Sequence, residues 1–342
     1  MSIEERANRL IDEMAIPKNS LGLLEKQIKK VFCCWGKMQT EIRPLHLIFA
    51  ADNGVVVESV VKQSQEITYL QAKNMIAGRA TISCFCQSNN IPYKVIDVGI
   101  RNKNSVGINR KAAYGTRNFL QEPAMSVVEF AKAFAAGKEM VRTAKQENYN
   151  LLSFGEMGIG NTTTSSAVLY ALTDVQPEFI VGYGANKKNP EVIKRKCEVI
   201  AKGVRLHRDE MHKVEDLIRF VGGFDIAALC GAMIECRQQN MPFVLDGFIT
   251  AVAFACAVQM DASVADFGIA SHLSREPGMF YALALGGIES DDVPIRADLA
   301  LGEGTGAVLF LVMLKTMMDA VWHVAKMAEL EEQVGKTVGE AL

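Results

Sequence analysis

The chain has 342 residues, a formal charge of −2 and 49% apolar side chains. That length holds one large or two unequal domains with a sizeable core. The near-neutral charge lacks the basic stripe with interleaved aromatics that nucleic acid demands, so no nucleic-acid partner is expected. The opening Met1–Arg6 is charged and has no apolar signal core. The runs Gly247–Val258 and Val308–Leu314 are too short to span a bilayer and read as buried helices. The expected location is cytoplasmic, away from any membrane.

Residues 1–40 read as helix, broken and capped at Pro17-Lys18-Asn19-Ser20, with Leu21, Leu24, Ile28 and Val31 at helical spacing. His46–Ala51 is a short buried strand that ends in Asp52-Asn53-Gly54. Tyr69–Ser88 is read as one helix, and Tyr93–Val98 as a second strand. Residues 100–124, rich in Asn, Lys and Gly, form an excursion or hairpin. Ser126–Gln146 is an Ala-rich helix, and Leu151–Phe154 is a third strand. A helix follows from about Ser165, a strand is expected at Phe179–Val181, and Pro190–Arg208 is a basic helix. Gly222-Gly223-Phe224-Asp225 opens the helix Ile226–Gln239. Phe243–Asp246 and Val264–Gly268 are further strands, each with an acid at or near its end. The C-terminal helices run from about Thr305, read as the cap, to Glu332.

Short apolar strands alternating with helices predict an α/β fold with a parallel, Rossmann-like sheet flanked by helices. The expected division is a large α/β catalytic domain, 41–304, and a small helical domain made from both ends, 1–40 with 305–342. The eight cysteines lack zinc-type C-x2-C pairs, and the five histidines are scattered. Reduced core thiols, no metal and no cofactor are expected.

Two glycine-rich loops stand out. Gly155–Thr164 (GEMGIGNTTT) joins a strand to a helix, so its backbone N–H groups suit an anion, most simply a phosphate. It is neither a Walker loop nor the dinucleotide fingerprint, which argues against an NTPase and a Rossmann-type oxidoreductase. In Leu301–Gly306 (LGEGTG), three glycines surround Glu303 and aim one carboxylate out of a loop beside a helix start. That suits a catalytic base. Asp246, at a strand's end, and Gly302 are read as further substrate contacts, because ligands in such folds sit beyond the carboxyl ends of the strands.

These residues resemble the nicotinate-nucleotide:dimethylbenzimidazole phosphoribosyltransferase family of cobamide synthesis. Gly155–Thr163 is similar to the family's G-E-M-G-I-G-N-T-T. Gly222–Leu229 with Pro242–Phe248 resembles its G-G-x-E/D-I-A-A…V-L-D-G-F run. Leu301–Gly306 resembles its L-G-E-G-[ST]-G, and Pro17–Gly22 its P-x-G-S-L-G. The matches fall in the family's order along nearly the whole chain. The resemblance implies transfer of ribosyl 5-phosphate from nicotinate mononucleotide to the aromatic base of a cobamide, giving an α-ribotide and nicotinate. It implies a dimer without metal. It also implies Glu303 as general base, Glu156 near the ribose, and Gly158, Asn161 and Thr162 around the phosphate, with Lys196 as cation and Ser274 as a further phosphate contact.

Two departures bear on the acceptor. The family's D-H-G reads Asp52-Asn53-Gly54 here. Its S-A-Y/F-P-x-E-V-T stretch corresponds to Val61–Thr68, and Val61 and Tyr69 are read as standing where the family has two polar contacts to the benzimidazole. Members with phenolic acceptors work as two unlike subunits. The expected acceptor is therefore a phenol or p-cresol in preference to a benzimidazole, with a homodimer or a heterodimer with a paralogous subunit both open. A non-catalytic or regulatory subunit is the alternative, opposed by retention of Glu303 and the intact Gly158–Thr164 loop.

Overall fold

The computed structural model describes residues 1–184 and 189–340, with side chains described as far as 334. Six strands form one sheet: β1 (Pro44–Ala51), β2 (Tyr93–Gly99), β3 (Ile108–Asn109), β4 (Leu151–Met157), β5 (Phe243–Leu245) and β6 (Gly268–Ala270). Their order is β3-β2-β1-β4-β5-β6, and every pairing is parallel. This is the doubly wound arrangement, in which the direction of winding reverses between β1 and β4.

Fourteen helices connect or flank these strands among the described residues. On the N-terminal side lie α1 (Ile3–Asp12), α2 (Leu23–Trp35), α3 (Glu66–Ile76), α4 (Thr81–Ser88) and α5 (Val127–Gln146). Then come α6 (Asn161–Thr173), α7 (Pro177–Ile180), α8 (Pro190–His207), α9 (Val214–Val221) and α10 (Phe224–Gln238). The chain ends with α11 (Phe248–Met260), α12 (Met279–Leu285), α13 (Thr305–His323) and α14 (Met327–Glu340).

β1 shows why the sheet is buried on both sides. Leu45, Leu47, Phe49 and Ala51 enter one core, with side chains of α5, α6 and α8 to α11. Ile48 and Ala50, of opposite parity, enter a second core with α1 to α4 and α13. In that second core α13 contributes Val308, Phe310, Leu311, Leu314, Met317 and Val321, all buried, against Ile28 and Phe32 of α2 and Ile11 of α1. Each such side chain stabilises by about 1.5–3 kcal/mol relative to exposure. The terminal helices thus share one core with a face of the sheet. By length and composition α13 could cross a membrane, but it lies inside this core, with 56% of its apolar window buried.

Several local expectations are corrected. The single helix expected at Tyr69–Ser88 is two, α3 and α4, parted at Gly78 with φ +72°. The strand expected at Phe179–Val181 is the short helix α7, started by Pro177 at its first position. The last strand lies at Gly268–Ala270 because Asp261 caps a 3-10 turn over Ala262–Asp266. In the 100–124 excursion, β3 pairs parallel with β2 and is no hairpin.

Candidate active site

Ligands in doubly wound sheets bind beyond the carboxyl ends of the strands, where the winding reverses. A cavity of about 290 Å³ lies there, lined from the ends of β4, β5 and β6, from α3 and from the Gly302–Glu303 loop.

Glu303 stands in its wall. The residue is in the left-handed region at φ +63°, between Gly302 at +85° and Gly304 at +92°. Three successive left-handed residues turn the chain sharply, at a cost of about 1–2 kcal/mol for the glutamate alone. The turn aims the Glu303 carboxylate at the cavity. Oε1 accepts from Gln71 Nε2 at 2.6 Å, and Oε2 from the Ile82 N–H at 3.4 Å.

Asp246, at the end of β5, holds the loop to the sheet. Its Oδ2 accepts from Gly304 N at 3.1 Å, and its Oδ1 from Gly306 N at 2.8 Å and Ala307 N at 3.2 Å. The cap of α13 is therefore a distant carboxylate at a helix N-terminus, a favourable place for a negative charge. Thr305, expected as the cap, instead donates its hydroxyl to Gly302 O at 2.9 Å. Asp246 lines the cavity, but its oxygens are engaged by backbone.

Glu156, next to last in β4, lies so close to the loop that a β-carbon on Gly302 would be 2.8 Å from its Oε1. Its Oε2 accepts a short hydrogen bond from Asn161 Nδ2, which also donates to Asp225 Oδ2 at 3.2 Å. Burial, with the Asp225 carboxylate next in weight, pushes Glu156 up to about 8. Burial likewise raises Asp225 to about 6, against the hydrogen bond from Asn161. Glu156 is therefore largely protonated at neutral pH.

The first turn of α6 opens on the same cavity through Gly158, Ile159, Asn161 and Thr162. Lys196, buried on α8, donates from Nζ to Thr162 Oγ1 at 3.1 Å. Burial lowers its pKa, and the nearby Glu276 carboxylate partly restores it. Gly184 lies over this pair and donates its N–H to Glu276 Oε1 at 2.9 Å. Ser274 also lines the cavity, and its Oγ accepts from Glu276 N at 3.3 Å. The structure thus brings together Glu303, Glu156, Gly158, Asn161, Thr162, Lys196, Asp246, Ser274 and Gly302.

It does not bring Val61 and Tyr69 to the cavity, and this corrects the expected acceptor pocket. Val61 packs against the core on one side of the sheet, and Tyr69 against that on the other, with Lys73 Nζ 5.6 Å from its ring centre. The cause is helical phase. Ile67 and Gln71, four apart on α3, share the face that lines the cavity, and Tyr69 lies about 200° around from Ile67. Gln63, just before α3, lines the cavity too. Sequence reading missed Gln71, His46 and Glu276. The i, i+4 pairing of Ile67 with Gln71 was the available signal for the first. For the acid Glu276 it was the position two residues beyond Ser274, in the same loop after β6. Nothing marked His46, which stands inside an apolar strand. Among the described residues no group of three or more His, Cys, Asp or Glu side chains is placed to hold a metal, and all eight cysteines are free.

Residues 1–333 match the profile of a phosphoribosyltransferase family. The chain belongs to the nicotinate-nucleotide–dimethylbenzimidazole phosphoribosyltransferase family. A Clostridium tetani protein named nicotinate-nucleotide–dimethylbenzimidazole phosphoribosyltransferase is 35% identical over 322 residues, 93% of this chain and 88% of that one. A Clostridium perfringens protein of the same name is 37% identical over 304 residues, 88% and 83% of the two chains. The crystal structure of CobT from Thermus thermophilus superposes with a TM-score of 0.89 at 34% identity, covering 96% of this chain and 98% of that one. The chain is thus a pentosyltransferase with the family's parallel α/β fold.

Proposed function

We propose that this phosphoribosyltransferase moves ribosyl 5-phosphate from nicotinate mononucleotide to a benzimidazole-type base, with Glu303 as general base. One observation carries the reading. A single cavity has the Glu303 carboxylate in its wall together with Thr162, which is backed by the buried Lys196 ammonium. The lone pair of an acceptor ring nitrogen forms the new bond to the anomeric carbon. The bond to nicotinate breaks with its electrons passing to the pyridine nitrogen, which leaves neutral. The acceptor's N–H proton goes to Glu303, whose orientation Gln71 fixes through Oε1. The first turn of α6 and Lys196 hold the 5-phosphate. Glu156 faces the ribose, and positive charge developing there favours its ionised form. Positioning both substrates in one enclosed site supplies much of the remaining rate.

The expectation of a phenolic acceptor rested on Val61 and Tyr69. Neither residue lines the cavity, where Gln63, Ile67 and Gln71 stand instead, so that ground for a phenol falls away. The test is product formation by the purified chain alone, given nicotinate mononucleotide and equal dimethylbenzimidazole and p-cresol. The benzimidazole α-ribotide is expected to predominate. Glu303→Gln is expected to lower kcat by about a hundredfold or more. Predominant phenolic ribotide would reverse the acceptor assignment. Absence of either ribotide would favour a non-catalytic subunit.

A further inference from the structure

We infer that His46 is a positioning residue, which holds Glu303 in its left-handed conformation so that the carboxylate meets the acceptor. This rests on the reading of Glu303 as the base. His46 lies in the middle strand β1, fully buried, and its Nε2 is 3.0 Å from the carbonyl oxygen of Glu303. Its Nδ1 is 2.8 Å from Ser153 Oγ on the neighbouring strand β4. Burial lowers its pKa to about 4, so the ring is neutral at physiological pH and carries one proton. A carbonyl oxygen only accepts, which places that proton on Nε2. Nδ1 then accepts from the Ser153 hydroxyl. The tautomer is fixed by its two partners.

The consequence appears at one peptide group. The C=O of the Glu303–Gly304 peptide is held by His46, and its N–H by Asp246 Oδ2 at 3.1 Å. Both poles of this peptide are anchored to the sheet, one at β1 and one at the end of β5. The anchor is also close-fitting, since a β-carbon on Gly304 would overlap the His46 ring. A glutamate at positive φ, flanked by two glycines, has easy alternative conformations. Rotation of this peptide would swing the carboxylate away from the cavity, and the His46 and Asp246 bonds oppose it together. His46 itself touches no substrate, because it lies behind the loop and does not line the cavity.

The test compares His46→Leu, His46→Gln and Glu303→Gln in one assay of nicotinate release from nicotinate mononucleotide with dimethylbenzimidazole. Gln keeps an N–H donor at about the reach of Nε2, and Leu keeps bulk only. His46→Leu is expected to lower kcat about tenfold or more while KM for nicotinate mononucleotide changes less than about twofold. His46→Gln is expected to recover most of that loss. Equal losses in both variants would mean that the site needs the ring's shape and not its proton, and would overturn the inference. So would a kcat for His46→Leu within about twofold of wild type. Full activity in Glu303→Gln would instead sink the reading of the base. If His46→Leu does not fold, Ser153→Ala decides the matter. With the tautomer released, kcat is expected to fall at least about threefold at unchanged melting temperature, and an unchanged kcat would overturn the proposal.

Discussion

A β-carbon on Gly155 would overlap the carbonyl oxygen of Glu303. The floor of the Gly302–Gly306 loop is thus the bare backbone of β4, and the loop has no room to settle lower. Gly155→Ala forces the Glu303–Gly304 peptide away from the sheet, off its bonds to His46 and Asp246. Overpacking of this kind costs about 1–3 kcal/mol, a fall in melting temperature of about 1–4 °C for a chain of this size. The kinetic effect is expected to exceed the thermal one, with kcat lower by about tenfold at temperatures where the variant is fully folded. Calorimetry paired with initial rates checks this, and a destabilised variant with unaltered kcat would show that the loop's height over β4 is immaterial.

Lys196 offers a separable test of the phosphate end. Lys196→Met keeps the length of the side chain and removes the charge that bonds to Thr162. A hydrogen bond to a charged group contributes about 1.5–3 kcal/mol, so KM for nicotinate mononucleotide is expected to rise by about tenfold or more, with a smaller effect on kcat. Titration calorimetry with nicotinate mononucleotide gives the same quantity free of turnover. An unchanged affinity would move the phosphate elsewhere. Gly158 is a poorer probe, since a β-carbon there would run into the Ala51 carbonyl oxygen and disturb β1 itself.

Glu156 predicts two pH dependences of opposite sense. Its pKa in the folded chain, about 8, lies above the ordinary carboxyl value of 4.5. Between those values the folded state binds more protons than the unfolded state, so this group makes stability fall as pH rises, by at most about 1.4 kcal/mol per unit. Activity should move the other way, because the ionised form is the one that assists a cationic sugar. The kcat/KM profile, which reports the free enzyme, is expected to climb towards pH 8. Glu156→Gln should flatten both curves and lower kcat. A wild-type profile with no ascending limb between pH 6 and 8 would show that ionisation of this group is not required.

The sequence made the sheet legible where strands are continuous apolar runs that end in Asp or Gly, as at His46–Ala51 and Leu151–Phe154. Both glycine loops were legible too, because their chemistry is local. What escaped it depends on distance or on phase. The cap of α13 could not be read from Thr305, because the group that caps it is Asp246, 58 residues before Gly304. Tyr69 and Gln71 are two apart on one helix, and only the placement of that helix decides which of them meets the cavity. His46 sits within β1 and reads as a strand residue until β4 and the Glu303 loop are brought against it. Glu276 acquires meaning only when Gly184, 92 residues earlier, and Lys196 fold beside it.

α13 starts at the loop of the base and runs into the core shared with α1 and α2, whereas Ile67 and Leu301, at the rim of the same cavity, are 38% and 55% exposed. If Glu303 is the base, the loop that carries it is tied to the packed core while the rim of the cavity is not. Changes at the rim cost little packing and leave the anchored peptide in place. A lineage could exchange one aromatic base for another through a few surface substitutions, and an engineer seeking new lower ligands would randomise Ile67 and Leu301 before touching anything that the sheet holds.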